Sequence, residues 1–346
     1  MILYFGVIPG LAQNDKDRAM TYKQSLEILS LIRGAKQVLV NCHQRPDVDS
    51  ISSALSMCQA LKKLEKDVQV ICPDERLPEL EFLACFDDFK KVDFTTFNFS
   101  DYDLFIILDS ASPEVVTGNK NISLPGIKKI VIDHHLTNTQ FGEINLIDAS
   151  RSSATELLYL LFLDWDLNID KDLATSLLTG ILGDTGAFEY HNTTSRTLQV
   201  AADLMDKGAD KDEILLKIFR SKQMNLLKFW GEVLEDLRVD ESGKFTWCAI
   251  PYNVYKDLGE PQTARESASS LFTRMVAGTE FGIVMLEEAP GQLRASFRAR
   301  STDFDVSKIA LALGGGGHAG AAGVTVVNGS FDDSVKKVVE TARKFI

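Results

Sequence analysis

The sequence predicts an α/β protein in two parts: a parallel-sheet domain, then a helical connector leading to a smaller α/β domain with a mixed sheet. From Thr21 onward, short and nearly continuous apolar runs alternate with helical patterns, as strands buried on both faces of a parallel sheet do. At 346 residues the chain is too long for one typical core. Beyond residue 238 a second series of strand runs, with helices between and after them, marks a separate unit with a partly antiparallel sheet.

Thr21 can cap a helix whose apolar positions include Leu26, Leu29 and Ile32 and which closes at Gly34. Gln37–Cys42 is a strand, followed by a loop holding Asp47 and Asp49. Ser50 can cap the next helix, with Ile51, Ala54, Leu55, Cys58 and Leu61 on one face. Further strands are expected at Val68–Cys72, Leu104–Leu108, Lys129–Ile132 and Ile144–Ile147, and helices at Thr155–Leu163 and Leu173–Leu182. Residues 21–195 form the expected first domain and 196–238 the connector. In 239–346, strands are expected at Phe245–Ile250, Gly282–Leu286, Leu293–Ala299 and Val324–Val327, with helices at Ala264–Val276, Val306–Leu313 and Asp332–Phe345. Residues 1–20 carry no chemistry. With Met20 just before the first helix, they read as an extension or a misplaced start.

Composition is that of a soluble globular protein, and no apolar run approaches the roughly 20 residues that span a bilayer. The apolar start lacks the basic residues and cleavage site of a signal peptide. Five cysteines without CxxC or metal-type spacing read as reduced, mostly buried side chains of a cytoplasmic protein. The net charge of −12 comes with no broad basic stripe, which argues against tracking of long nucleic acids. A phosphate-bearing substrate would be short, held by a few local cations and by metal.

Candidate chemistry collects at strand ends. The first strand leads into His43, Asp47 and Asp49, Leu104–Leu108 into Asp109, and Lys129–Ile132 into Asp133, His134 and His135. Ligands of open parallel sheets bind outside the carboxyl ends of the strands, so these side chains would meet in space. A fourth acid, Asp184 in Gly183-Asp184-Thr185-Gly186, follows the helix Leu173–Leu182, and its glycines allow a tight approach. Taken alone, Asp47 and Asp49 are turn or capping residues and Asp109 a strand terminator. Together, so many carboxylates would repel each other and raise their pKa values unless cations held them. Two divalent ions roughly 3.5–4 Å apart, with one carboxylate bridging, resolve this. Mixed oxygen and nitrogen ligation favours Mn²⁺ or Mg²⁺. Asp47 and Asp49 would stand on the same side of an extended loop, each facing a different ion.

The run Gly314-Gly315-Gly316-Gly317-His318 follows a helix and lacks the Lys-Ser/Thr of a nucleotide-binding loop. Its bare amides can cradle a phosphate, with His318 as a further donor, or it can be a hinge. Strand alternation puts Arg294, Ser296, Arg298 and Arg300 on one face, a candidate phosphate clamp on an acidic chain or a solvating edge.

Taken together these residues resemble the DHH/DHHA1 phosphoesterase superfamily, over nearly the whole chain from about residue 21. The first-domain motifs appear in order as His43-Gln44-Arg45-Pro46-Asp47-Val48-Asp49-Ser50, Asp109, Asp133-His134-His135 and Gly183-Asp184-Thr185-Gly186. The second-domain signature is Gly315-Gly316-Gly317-His318 followed by Ala321-Ala322-Gly323. The resemblance implies a hydrolase with two Mn²⁺-type ions in an interdomain cleft. His43 and Asp47 would hold one ion, Asp49, His134 and Asp184 the other, and Asp109 would bridge. Asp133 would orient the imidazoles, and His135 would contact the phosphoryl group or leaving oxygen. Arg298 and His318, with Gly315, Gly316 and Gly317, would hold substrate. One departure is Arg298-Ala299-Arg300, where the group usually has Arg-Ser.

A two-domain chain of this size, with no residues left for an OB-fold or membrane spans, resembles most the nanoRNase and 3′,5′-bisphosphate nucleotidase group. The expected activity is hydrolysis of short oligoribonucleotides or linear dinucleotides, with pAp as a further substrate. An exopolyphosphatase or pyrophosphatase, or a non-catalytic nucleotide-binding protein, are the alternatives. Expected partners are a short RNA or nucleotide, no long duplex and no membrane. A homodimer is compatible with the sequence.

Overall fold

The computed structural model describes residues 21–301 and 303–346, so the expectation for residues 1–20 lies outside the described residues. The chain divides into two compact units that meet at Ser221/Lys222. This boundary falls inside the stretch read as a connector. Its first two helices belong to the first unit and its last to the second.

The first unit runs α1 (Ser25–Gly34), β1 (Gln37–Asn41), α2 (Val48–Lys63), β2 (Asp67–Cys72), β3 (Phe89–Lys91), β4 (Leu104–Leu108) and α3 (Pro113–Thr117). It continues with β5 (Lys128–Asp133), β6 (Ile144–Ile147), α4 (Ala154–Asp164), α5 (Lys171–Asp184), α6 (Ser195–Asp206) and α7 (Lys211–Phe219). The six strands are all parallel, in the order β3-β2-β1-β4-β5-β6. Strand order reverses between β1 and β4, which makes their carboxyl ends the natural ligand crevice.

Burial explains why these strands read as unbroken apolar runs. On β4, Leu104, Ile106 and Leu108 pack into one core with α1, α2, α4 and α5, while Phe105 and Ile107 pack into another on the opposite face. That second face is covered largely by loop aromatics, Phe94, Phe97, Phe99 and Tyr102, and not by the helices that alternating strands led us to expect. No helix separates β3 from β4, and the short strand β3 carries too little pattern to be legible.

Two caps differ from expectation. α2 is capped by Asp47, whose Oδ1 accepts from the Ser50 amide at 2.9 Å, so Ser50 sits inside the helix. Thr21 caps nothing. Its amide donates to Asp164 on α4, a contact that helix α1, starting at Ser25 without a side-chain cap, cannot announce.

The second unit runs α8 (Met224–Asp236), β7 (Arg238–Val239), β8 (Phe245–Ile250), α9 (Tyr252–Asp257), α10 (Ala264–Phe272), β9 (Phe281–Ala289) and β10 (Gln292–Ala299). It ends with α11 (Ser307–Ala312), β11 (Gly316–His318), β12 (Ala321–Val327) and α12 (Phe331–Arg343). Its sheet, ordered β11-β12-β10-β9-β8-β7, is antiparallel except for the parallel pair β8/β9. One face buries Ile283, Met285, Leu293 and Phe297 with residues of α11 and α12, and the other buries Val284 and Leu286 with residues of α8 and α10. Arg300 lies beyond the end of β10, where its Nη1 donates to the Val276 carbonyl at 2.6 Å, so it is no part of the strand's polar face.

Phe105 is fully buried in the loop-covered core. Phe105→Ala is expected to cost about 3–5 kcal/mol through lost burial and a residual cavity, read from the shift in denaturant midpoint.

Candidate metal centre

The chain leaves β1 and β4 at adjacent carboxyl ends, and the residues that follow carry the site. After β4, Asp109 turns through φ +50°, a left-handed conformation that aspartate tolerates better than most residues. This places its carboxylate, only 2% exposed, between the residues that follow β1 and those that follow β5. Asp109 Oδ2 lies 3.5 Å from His43 Nε2, and Oδ1 lies 3.4 Å from His134 Nε2 and 3.6 Å from His135 Nδ1. Despite this proximity, buried Oδ1 receives no hydrogen bond. A buried acceptor left unsatisfied costs about 1–3 kcal/mol or more, so its persistence points to a cation partner.

The imidazoles are aimed by their other nitrogens. His43 Nδ1 sits 2.8 Å from the Gln44 carbonyl, and His134 Nδ1 sits 3.4 Å from that of Arg151. A carbonyl only accepts, so the proton belongs on Nδ1 and Nε2 is left to face the acids. Asp133 is fully buried. Its Oδ1 accepts from His135 Nδ1 at 2.7 Å and from the His134 amide at 2.9 Å, while Asn138 donates to its Oδ2 at 2.6 Å. Asp133 therefore orients the His135 ring but only the backbone of His134.

The sequence suggests that Asp47 and Asp49 stand on an extended loop. Both instead sit at the N-terminus of α2, where the helix dipole favours negative charge. Asp47 is exposed and lies 3.8 Å from His43 Nε2. Asp49 is buried and held by a second helix start: its Oδ2 accepts from the Ala154 amide at 2.7 Å, and its Oδ1 from Thr155 Oγ1 at 2.7 Å and the Thr155 amide at 3.2 Å. Asp184 is the last residue of α5, not a residue beyond it, and its Oδ2 lies 3.4 Å from His134 Nε2.

Two trios of donor atoms result, His43/Asp47/Asp109 and Asp49/His134/Asp184, each with its atoms within 4.8 Å of one another. A third, overlapping trio of Asp109, His134 and His135 shares Asp109 with the first and His134 with the second. All six residues read from the sequence as ligands are thus brought together. A buried orphan carboxylate oxygen, paired aspartates and inward-facing imidazole nitrogens form a donor set that fits hard-to-borderline divalent cations.

Titration behaviour expresses the same crowding. Burial raises Asp49 well above the carboxylate range, with the Asp109 and Asp184 charges adding to it. Burial likewise lifts Asp184 to about 7. Burial opposes charge on His43 and His134, but Asp109 outweighs it and holds them at about 11 and about 10. Asp109 is driven low despite its burial, because His134 and His43 share its charge.

Sequence reasoning missed the groups that hold these ligands. Gly180 is the clearest: a Cβ there would meet Asp49 Oδ1 and the Thr155 side chain at 2.5 Å. A glycine inside a helical pattern was the available signal. Gly183, the first residue of the Gly-Asp-Thr-Gly motif, lets Val48 approach, where a Cβ would meet it at 2.6 Å. Asn138 and Thr155 carry no such mark.

In the second unit, Arg298 is half-buried on β10 and its Nη1 donates to the Phe297 carbonyl at 3.0 Å. Burial lowers its pKa, and the Arg265 and Arg274 charges add to that. His318 is exposed at the end of β11, an edge strand. Gly315 and Gly317 let β11 approach β12, since a Cβ at either would meet that strand at 2.2 and 2.4 Å, whereas Gly316 faces open space. A cavity of about 370 Å³ is lined by Gly314, Gly315, Gly316 and Gly323 together with Arg265 and Arg294. Arg265 was not anticipated. It is buried and bonded to Ser296, Glu266 and Glu288, partners that only the folded sheet assembles.

The chain belongs to the DHH family of phosphoesterases: the model for the DHH family N-terminal domain matches residues 37–181, and that for the DHHA1 domain residues 259–346. Among its relatives is the bifunctional oligoribonuclease and PAP phosphatase NrnA of Thermus thermophilus, 30% identical over 92% of each chain. NrnA of Bacillus subtilis is 27% identical over 92% of this chain and 98% of its own. An exopolyphosphatase-related protein of Bacteroides fragilis shares the fold, with a TM-score of 0.82 at 24% identity over 93% of this chain and 96% of that one. Among the described residues no helix is long and apolar enough to cross a membrane.

Two predictions follow from the ligand geometry. Gly180→Ala is expected to weaken metal binding roughly 10–100-fold by displacing Asp49, as measured by calorimetric titration of Mn²⁺. The second concerns pH. His43, His134 and Asp184 all bind protons more tightly folded than unfolded, so their stabilisation of the metal-free fold is lost as pH rises through about 7, 10 and 11. Asp109 has the opposite sign, but its contribution is complete at any pH above the ordinary carboxylate range. Metal displaces the protons. The rise in Tm caused by Mn²⁺ is therefore expected to be larger near about pH 9 than near about pH 6.5, by scanning calorimetry.

Proposed function

We propose that this protein is a metal-dependent phosphoesterase that cleaves very short oligoribonucleotides or linear dinucleotides and removes phosphate from pAp. The observation that carries the proposal is the pair of ligand trios linked through Asp109 and His134, with the buried Asp109 Oδ1 left unsatisfied. The NrnA relatives, similar over nearly the full chain, supply the substrate class.

His43 and Asp47 would hold one ion, Asp49, His134 and Asp184 a second, and Asp109 both. Mn²⁺ is the expected metal, with Mg²⁺ the substitute. When bound, two such ions activate water and neutralise charge on the phosphoryl oxygens. The protein's own part is orientation and proton placement. Asp133 fixes the His135 ring and raises its pKa, and the exposed imidazole would contact the phosphoryl group or the leaving oxygen. Arg298, His318, Gly315, Gly316 and Gly317 are the proposed substrate-binding residues of the second unit. With a net charge of −12, affinity for long strands is expected to be poor, and the substrate short. Its five free cysteines suit a reducing cytoplasm.

The test is product release in Mn²⁺ from a panel of short and long RNA, pApA, pAp, cyclic-di-AMP, pyrophosphate and polyphosphate. Fast turnover of pApA and the shortest RNAs, with long RNA left intact, is the expected result. Turnover confined to pyrophosphate or polyphosphate would overturn the substrate assignment. Asp109→Ala is expected to cost several orders of magnitude in kcat, because both ions lose a ligand. Near-normal turnover in that variant contradicts the shared-carboxylate scheme.

A further inference from the structure

Away from the metal centre, Cys58, Cys85 and Asp88 converge, with one donor atom of each within 4.8 Å of the others. Cys58 is buried in α2. Cys85 is half-buried between β2 and β3, at φ +66°, a conformation few non-glycine residues adopt. The Cys58 thiol donates to Asp88 Oδ2 at 3.9 Å, and Lys62 holds the same oxygen at 2.6 Å. The ammonium already neutralises this carboxylate. The cluster is thus a thiol pair beside a salt bridge and not a three-donor cage for a cation.

The two thiols differ in the way that attacking and resolving cysteines differ. The neighbouring Cys58 thiol lowers the Cys85 pKa, and the Lys62 charge assists against the opposing effects of burial and Asp88. The same thiol–thiol proximity and burial raise Cys58. Cys42, Cys72 and Cys248 are buried, and burial pushes their thiols up, the last two to about 12.

We propose that Cys58 and Cys85 form a reversible intramolecular disulfide, with small-molecule disulfides as the oxidant. The Cys85 thiolate attacks one sulfur of the oxidant and expels the first small thiolate, leaving a mixed disulfide on Cys85. The Cys58 thiol then gives up its proton, attacks Cys85 Sγ and expels the second. One oxidant is reduced to two thiols while the chain loses two hydrogens. Transient, sensing disulfides of this kind are the usual ones in reduced compartments.

The experiment is incubation of the folded full-length chain with oxidised glutathione, then alkylation, thiol counting and peptide mapping. Free thiols are expected to fall from five to three. A Cys58–Cys85 linked peptide should appear, and dithiothreitol should restore all the thiols. Cys58→Ala should accumulate glutathione on Cys85, and Cys85→Ser should keep its remaining thiols. An unreactive wild-type chain, a link between other cysteines, or a wild-type chain that stops at the mixed disulfide would each overturn the proposal.

Discussion

Repulsion among Asp47, Asp49, Asp109 and Asp184 is the constraint around which the first unit is arranged. Four carboxylates within reach of one another at the switch point of the sheet are unfavourable in a low-dielectric setting unless positive charge meets them. The fold supplies some of it. Asp47 and Asp49 stand at the start of α2, and Asp49 also receives the first amides of α4. Two helix N-termini thus converge on one buried acid. The remainder is left to imidazolium in the metal-free protein and to divalent ions in the loaded one, which is why metal and protons compete for the same donors.

Positioning comes from rigid elements. Strands β1, β4 and β5 fix where His43, Asp109 and His134 begin, and their cores on both faces hold the strands in register. Glycines set the remaining distances. Gly180 lets α5 approach Asp49, and Gly183 lets it approach α2. In the second unit Gly315 and Gly317 do the same for β11 and β12, so half of that glycine run answers to strand packing, while Gly314 and Gly316 leave space open. The cavity there is lined both by Gly315, which packs against the neighbouring strand, and by Gly314 and Gly316, which do not.

Much of this was legible in the sequence, because buried parallel strands are continuous apolar runs and their carboxyl ends are where chemistry collects. His43, Asp109 and His134 could be placed from that rule alone. The caps could not. Asp47-Val48-Asp49-Ser50 offers three residues able to start a helix, and the choice of Asp47 decided that Asp49 would point from a helix and not a loop. Residues whose role is a long-range bond, such as Thr155 to Asp49, Asn138 to Asp133 or Arg265 to Ser296, leave no local pattern. The loop aromatics that cover the second face of the sheet escaped for the same reason: their burial is a tertiary fact.

The central claim is that Asp109 is shared by two cations. Anomalous scattering from crystals soaked in Mn²⁺ measures this most directly. The account predicts two peaks, one beside His43 and Asp47, the other beside Asp49, His134 and Asp184, with the Asp109 carboxylate reaching both. A single peak, or a pair of which only one contacts Asp109, would contradict it.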